Sequence, residues 1–218
     1  MTQTILVINP NATQAVTDGI SRALAPLRFP GGPAIECVTL AEGPPGVESQ
    51  QDADGVILPL TRLARQRGDA GAYVIACYSD PGLHAVREAV AGKPVLGIAE
   101  CAMLTALTRG ERFGVISILA RSVPRHLRYV RSLGLDGRLA GDLPIGLGVL
   151  ELADDQRVLA RMTEVGRALR DKHGADVLIM GCAGMARFRR PLQEALEVAV
   201  VEPSFAATSM ALGALAGG

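Results

Sequence analysis

An α/β fold with parallel sheet follows from three observations on this 218-residue chain. Short β-branched runs alternate with Ala/Leu/Arg helical patterns. Several of the runs are apolar throughout, as in parallel strands covered on both faces. A strand–Cys–Gly-turn–helix unit also occurs twice, which predicts two similar lobes, each a mainly parallel sheet flanked by helices, with a cleft between them.

In chain order the predicted strands are 4–8, 35–39, 72–76, 94–98, 113–117, 176–180 and 198–201. The predicted helices are 13–25, 52–68, 81–91, 100–109, 120–132, 153–173 and 189–197. The helix over 153–173 has the clearest pattern, with Val158, Met162, Val165 and Leu169 on one stripe and charges elsewhere. The Pro/Gly-rich segments 26–33 and 43–46 read as surface loops. The expected division is a first lobe of 1–98 plus 203–218 and a second lobe of 99–202.

The internal repeat aligns the strand entering Cys77 with the strand entering Cys182. Each cysteine is followed by a Gly-containing turn (Asp80-Pro81-Gly82; Ala183-Gly184-Met185), a helix, a second strand and an acid. Those acids are Glu100, 23 residues after Cys77, and Glu202, 20 residues after Cys182.

Composition narrows the function. The 22 Lys and Arg balance the 22 Asp and Glu, so nothing suggests a nucleic-acid footprint or a polybasic membrane anchor. Hydrophobic residues make up 49% and charged residues 20%, which suits a globular chain and not a disordered one. No apolar stretch reaches membrane-spanning length, and a soluble, cytoplasmic protein is expected. The four cysteines form neither a CxxC pair nor a His-flanked metal pattern. No complete GxGxxG or Walker A run is present, and Gly146-Leu147-Gly148 is too short to count.

In a parallel sheet, ligands bind beyond the carboxyl ends of the strands. Cys77 and Cys182 both fall at that edge, where a helix N-terminus and backbone N–H groups favour a thiolate. Cys37 lies mid-strand and Cys101 at the start of an Ala/Leu helix, so both read as core. The pattern alone leaves Cys77 and Cys182 open between core and site. Two thiols flanking one carbon would suit removal of a proton from one face and its return to the other. Among the histidines, His84 reads as a helix-surface residue, and His126 and His173 as solvent-facing or complementing a helix dipole. The Arg187–Arg190 cluster reads as a solvated helix start, and Glu100 and Glu202 lean towards structure.

Ile8-Asn9-Pro10-Asn11, Ile75-Ala76-Cys77, Asp80-Pro81-Gly82-Leu83 and Gly97-Ile98-Ala99-Glu100 resemble the hydantoin/allantoin racemase branch of the Asp/Glu racemase superfamily. Gly181-Cys182-Ala183-Gly184-Met185 matches its second cysteine motif, and Arg112-Phe113-Gly114-Val115-Ile116 its second-lobe opening strand. The resemblance spans nearly the whole chain in the expected order. It implies a cofactor-independent racemase acting on a small-molecule substrate, with Cys77 and Cys182 as the acid/base pair on opposite faces of the α-carbon, and a homo-oligomer. It further implies a pocket lined by Asn11, by Tyr78 and Ser79, by Ala183 and Gly184, and by Ser117 and Ile118. On this reading the Ser79 and Ser117 hydroxyls help backbone N–H groups to hold the enolate oxygen.

Three departures bear on the substrate: Ser79 before Asp-Pro-Gly, Val201-Glu202-Pro203-Ser204 near the C-terminus, and the segment 41–48. An Asp/Glu-type amino-acid racemase, a maleate isomerase and an arylmalonate-decarboxylase-like enzyme share the scaffold. Cys77 argues against the decarboxylase, and Tyr78 and Ala183 against the amino-acid racemases. A small-molecule anion-binding protein is the non-enzymatic alternative.

Overall fold

The computed structural model describes residues 3–217. It contains two four-stranded sheets, parallel throughout. The first, in order β2-β1-β3-β4, is built from β1 (Thr4–Asn9), β2 (Ala34–Thr39), β3 (Ala72–Ile75) and β4 (Val95–Gly97). The second, in order β6-β5-β7-β8, is built from β5 (Phe113–Ser117), β6 (Leu139–Pro144), β7 (Val177–Met180) and β8 (Ala199–Val201). The central strands are sealed on both faces: Ile5, Leu6, Val7 and Ile8, and all four residues of β3, are at most 1% exposed. That double burial is why these runs show no polar alternation.

Two elements were absent from the sequence expectation. Strand β6 carries Gly141, Asp142 and a terminal Pro144, a composition poor in strand formers that only an edge position tolerates. Helix α9 (Pro203–Ala216) contains no charged residue and no polar stripe, so it lacks the helical period. The expected helix over 52–68 is two helices, α2 (Gln50–Gly55) and α3 (Ile57–Gln66), meeting at Val56. The remaining helices are α1 (Gln14–Ala23), α4 (Leu83–Ala89), α5 (Ile98–Leu107), α6 (Val123–Ser132), α7 (Asp155–Asp171) and α8 (Arg189–Leu196).

Each sheet packs helices on both faces. In the first, Leu6, Ile8, Tyr73 and Ile75 meet Leu60 and Ala64 of α3 and Leu83 and Val86 of α4. The opposite face, Ile5, Val7, Ala72 and Val74, is covered by Ile20 of α1 and by Ala207 and Ala211 of α9. In the second, Ile116, Leu178 and Met180 meet Val158, Met162 and Leu169 of α7 and Leu192 and Leu196 of α8. Its other face, Phe113, Val115, Val177 and Ile179, takes Ala102, Met103 and Ala106 of α5.

The helices that follow β4 and β8 therefore cross over. Helix α5 leaves the first sheet to cover the second, and α9 returns from the second to cover the first. The two helices also pack on each other, with alanines at the contact that let their backbones approach closely. Both are largely apolar because each packs on a sheet and on the other helix, while Leu104 of α5 and most of the last turn of α9 stay exposed. This exchange ties the lobes together and faces the carboxyl ends of β3 and β7 into one cleft.

Candidate active site

Cys77 and Cys182 each lie just beyond the carboxyl end of the third strand of their sheet. After β3, the N–H groups of Ser79 and Asp80 both donate to the Cys77 carbonyl, at 2.8 and 2.9 Å. This tight turn holds Asp80 at φ +43° and Gly82 at +68°, the left-handed region where glycine is at ease. After β7, Met185 N–H donates to the Cys182 carbonyl at 3.1 Å and opens a 3₁₀ turn over Ala183–Phe188. Each sulfur meets the backbone N–H two residues on, that of Ser79 for Cys77 and that of Gly184 for Cys182.

The two thiols line one cavity that opens to solvent. Its wall brings together Asn11, Tyr78, Ser79, Ile118, Ala183 and Gly184 of the expected site residues. Asn11 Oδ1 accepts from Asn9 Nδ2 and the Thr13 N–H, which fixes the side chain at the cavity wall. Tyr78 is 4% exposed, its ring set edge-on to His126 and its hydroxyl buried without a partner among the described residues. From the segment 41–48, Val47 reaches the cavity opposite Val149 of the second lobe. Glu48 clamps these two loops together, accepting from Val149 N–H at 2.8 Å and pairing with Arg121.

Ser117 is not on this wall. It is fully buried behind it, and its hydroxyl donates to Asp142 and meets His126 Nδ1 at 3.2 Å. The expectation that this hydroxyl faces the substrate is corrected, because a deeper carboxylate claims it. The expectation of a solvent-facing His126 is also overturned. His126 is 4% exposed, contributes to the cavity wall, and holds Asp142 Oδ2 at 2.8 Å. The signal was present in the i,i+4 pair His126 and Val130, which puts both on the core face of α6. His84 and His173 are exposed.

Arg125, which the sequence reading did not single out, crosses from α6 to the other lobe. Its Nε donates to Ser79 Oγ at 2.8 Å, and the residue is 9% exposed. Arg187 turns away to Asp155 and the Leu152 carbonyl, and Arg190 pairs with Glu194.

The two acids of the repeat are not equivalent. Glu202 is the N-cap of α9, accepting from Ser204 and Phe205 N–H at 3.0 and 2.6 Å. The N-cap of α5 is Gly97, which stands 20 residues after Cys77 as Glu202 does after Cys182. Glu100 lies further along α5 and pairs with Arg87 at 2.9 Å. The capping carboxylate of α5 comes instead from Asp80, which accepts from Ala99 and Glu100 N–H, both at 2.9 Å. A Cβ on residue 97 would fall 2.2 Å from that carboxylate, so only glycine leaves room for it.

Burial dominates the electrostatics. It pushes the Cys77 thiol up to about 12, with Cys182 adding to the rise and the Arg125 guanidinium opposing it. Cys182 is raised to about 11 by burial, against the Gly184 N–H, with Glu48 and Glu202 adding to the rise. Asp80 rises to about 7 by burial, opposed by its two capped N–H groups and Tyr129. Cys182 thus disfavours a thiolate at Cys77. Among the described residues, no cluster of His, Cys, Asp and Glu could hold a metal ion. No helix there is long and apolar enough to cross a membrane.

Two parallel α/β lobes closing on one cleft, with a cysteine from each at its wall, define a two-lobed α/β enzyme. Residues 5–211 match the family model described as Asp/Glu/Hydantoin racemase, and the chain belongs to that family, whose members named below are isomerases. It is 34% identical over 212 residues to a hydantoin racemase of Paenarthrobacter aurescens, covering 95% of this chain and 89% of that one. It is 36% identical over 203 residues to a hydantoin racemase of Pseudomonas sp. (strain NS671), covering 91% and 80%. Allantoin racemase from Klebsiella pneumoniae superposes with a TM-score of 0.91 at 30% identity, over 99% of this chain and 88% of that one.

Proposed function

We propose that this enzyme racemises 5-substituted hydantoins or a related cyclic ureide such as allantoin, with Cys77 and Cys182 as its two acid/base groups. The observation that carries the reading is the sharing of one cavity by two thiols that stand at equivalent strand ends. The names of the relatives support the substrate class.

In this scheme one cysteine is thiolate and the other thiol. The thiolate takes the α-proton from one face of the ring carbon, and the electron pair moves to the neighbouring carbonyl oxygen as an enolate. The opposite thiol delivers its proton to the other face, and the electron pair returns to carbon. The product is the mirror-image ureide, and the two cysteines have exchanged protonation states. A cyclic ureide has a comparatively acidic α-carbon, so two thiols and a few hydrogen bonds meet the demand. The Ser79 and Gly184 N–H groups supply part of that stabilisation by favouring whichever sulfur is charged.

The test is turnover in D₂O of 5-substituted hydantoins, allantoin and free amino acids, followed by polarimetry and NMR. Racemisation of a cyclic ureide with deuterium appearing at its α-carbon is the expected result. Turnover of free amino acids alone would move the assignment to an amino-acid racemase, and no exchange with any ureide would overturn it.

A further inference from the structure

The cavity wall carries one guanidinium and, among the described residues, no carboxylate. Among the described residues Arg125 makes no ion pair, and its Nη1 is buried without a hydrogen-bond partner. A buried cation left unpaired is costly, and burial accordingly lowers its affinity for its proton. The side chain is nevertheless held in place: Nε is anchored on Ser79 Oγ, so the guanidinium is fixed across the cleft beside the Cys77 loop. The groups that bear on Cys77 are Cys182, Asp80 and Arg125, and Arg125 is the one cation among them. Cys182 lies instead in the field of Glu48 and Glu202, which raise its thiol.

We infer that Arg125 is a catalytic anion-binding residue, its Nη1–H donating to the carbonyl oxygen of the ligand that becomes negative beside Cys77. This rests on the ureide reading for the identity of the ligand but not for the site itself. No proton leaves the guanidinium: the electron pair released at the α-carbon settles on that oxygen, and Arg125 supplies a charge-assisted hydrogen bond that strengthens as the charge develops. The cavity therefore selects neutral ligands that develop an oxyanion, or small carboxylates that carry one already.

The experiment compares alkylation of Cys77 by iodoacetate and by iodoacetamide, read as the Cys77 peptide by mass spectrometry. Either reagent forms the same S–C bond and releases iodide, so thiolate availability cancels in the ratio and the reagent's charge remains. In the wild-type enzyme iodoacetate should be favoured roughly tenfold relative to the same ratio on a free thiol, and sulfate should suppress that preference. Arg125→Gln should bring the ratio back to the free-thiol value, and Arg125→Lys should retain part of it. Circular dichroism and melting check the fold. If Arg125→Gln does not fold, the wild-type ratio and its sulfate dependence decide alone. A wild-type ratio equal to that of a free thiol, or one unchanged by Arg125→Gln, would overturn the inference.

In racemisation, Arg125→Gln should lower kcat about 100-fold with a smaller change in KM, the pattern of a donor used mainly in the transition state. If the wild-type enzyme racemises no ureide, the proposed substrate fails, and the alkylation ratio still judges Arg125.

Discussion

The two lobes repeat one plan with different chemistry. In the first, the polar residue ending β1, Asn9, bonds Thr17 at 3.0 Å, and Thr17 bonds Thr39: amide and hydroxyls only. In the second, Ser117 ends β5 and engages His126 and Asp142, an ionisable pair whose histidine forms part of the cavity wall. The cysteine loops differ likewise. Cys77 has Arg125 within its field and Cys182 has two carboxylates. The helix exchange is also capped differently, by Glu202 from its own position in α9 and by Asp80 from a distant loop in α5. Duplicated backbones thus deliver two thiols symmetrically, while the groups around them make the two half-sites unequal.

The largest expected effect tests the symmetry itself. Cys77→Ala and Cys182→Ala should each lower racemisation by at least about 10²–10⁴-fold, the usual worth of a positioned acid or base, with circular dichroism unchanged. The asymmetry should then show in exchange: each variant keeps one base, so each should exchange the α-hydrogen of one enantiomer, and of opposite enantiomers. Full activity in either variant would end the two-base scheme.

Next comes the contrast between the buried polar clusters. Asp142→Ala strands His126 and Ser117 and should cost about 3 kcal/mol in urea unfolding, whereas Thr17→Val should cost about 1 kcal/mol. Equal costs would mean that the second-lobe pair is no more demanding than its neutral counterpart.

The capping contrast is smaller. Asp80→Ala leaves the Ala99 and Glu100 N–H groups without their acceptor and should cost about 1–3 kcal/mol. Glu202→Ala should cost about 0.5–2 kcal/mol, as for an ordinary N-cap. The two are separable by pH. Burial raises the folded-state Asp80 carboxyl to about 7, above its ordinary value of 3.8. Between those values the unfolded chain loses this proton while the folded chain keeps it, so Asp80 lowers stability as pH rises from about 4 to 7. Asp80→Asn should flatten that slope in the urea midpoint. A slope that survives the substitution would place its source elsewhere.

Much of this molecule was legible from its residues. The apolar runs at β1, β3, β5 and β7 declared parallel strands, because burial on both faces removes polar alternation. The repeated Cys–turn–helix unit pointed to the two strand ends, and six of the neighbouring residues expected at the pocket do reach its wall. Elements whose composition hides their place were missed. Strand β6 contains residues that disfavour strands, and α9, free of charged residues and packed between the first sheet and α5, shows no amphipathic stripe.

Local sequence determined most of the strands and the turns after each cysteine. Such features depend on side-chain period and backbone conformation within a few residues. Only the tertiary structure decided that Ser117 serves Asp142 and not a ligand, that His126 is interior, and that Asp80 caps a helix nineteen and twenty residues away. The same holds for Arg125 reaching across the cleft to Ser79. Hydrogen bonds and charges act through distances in space, and the crossing of α5 and α9 sets those distances by bringing segments far apart in the chain into one cavity.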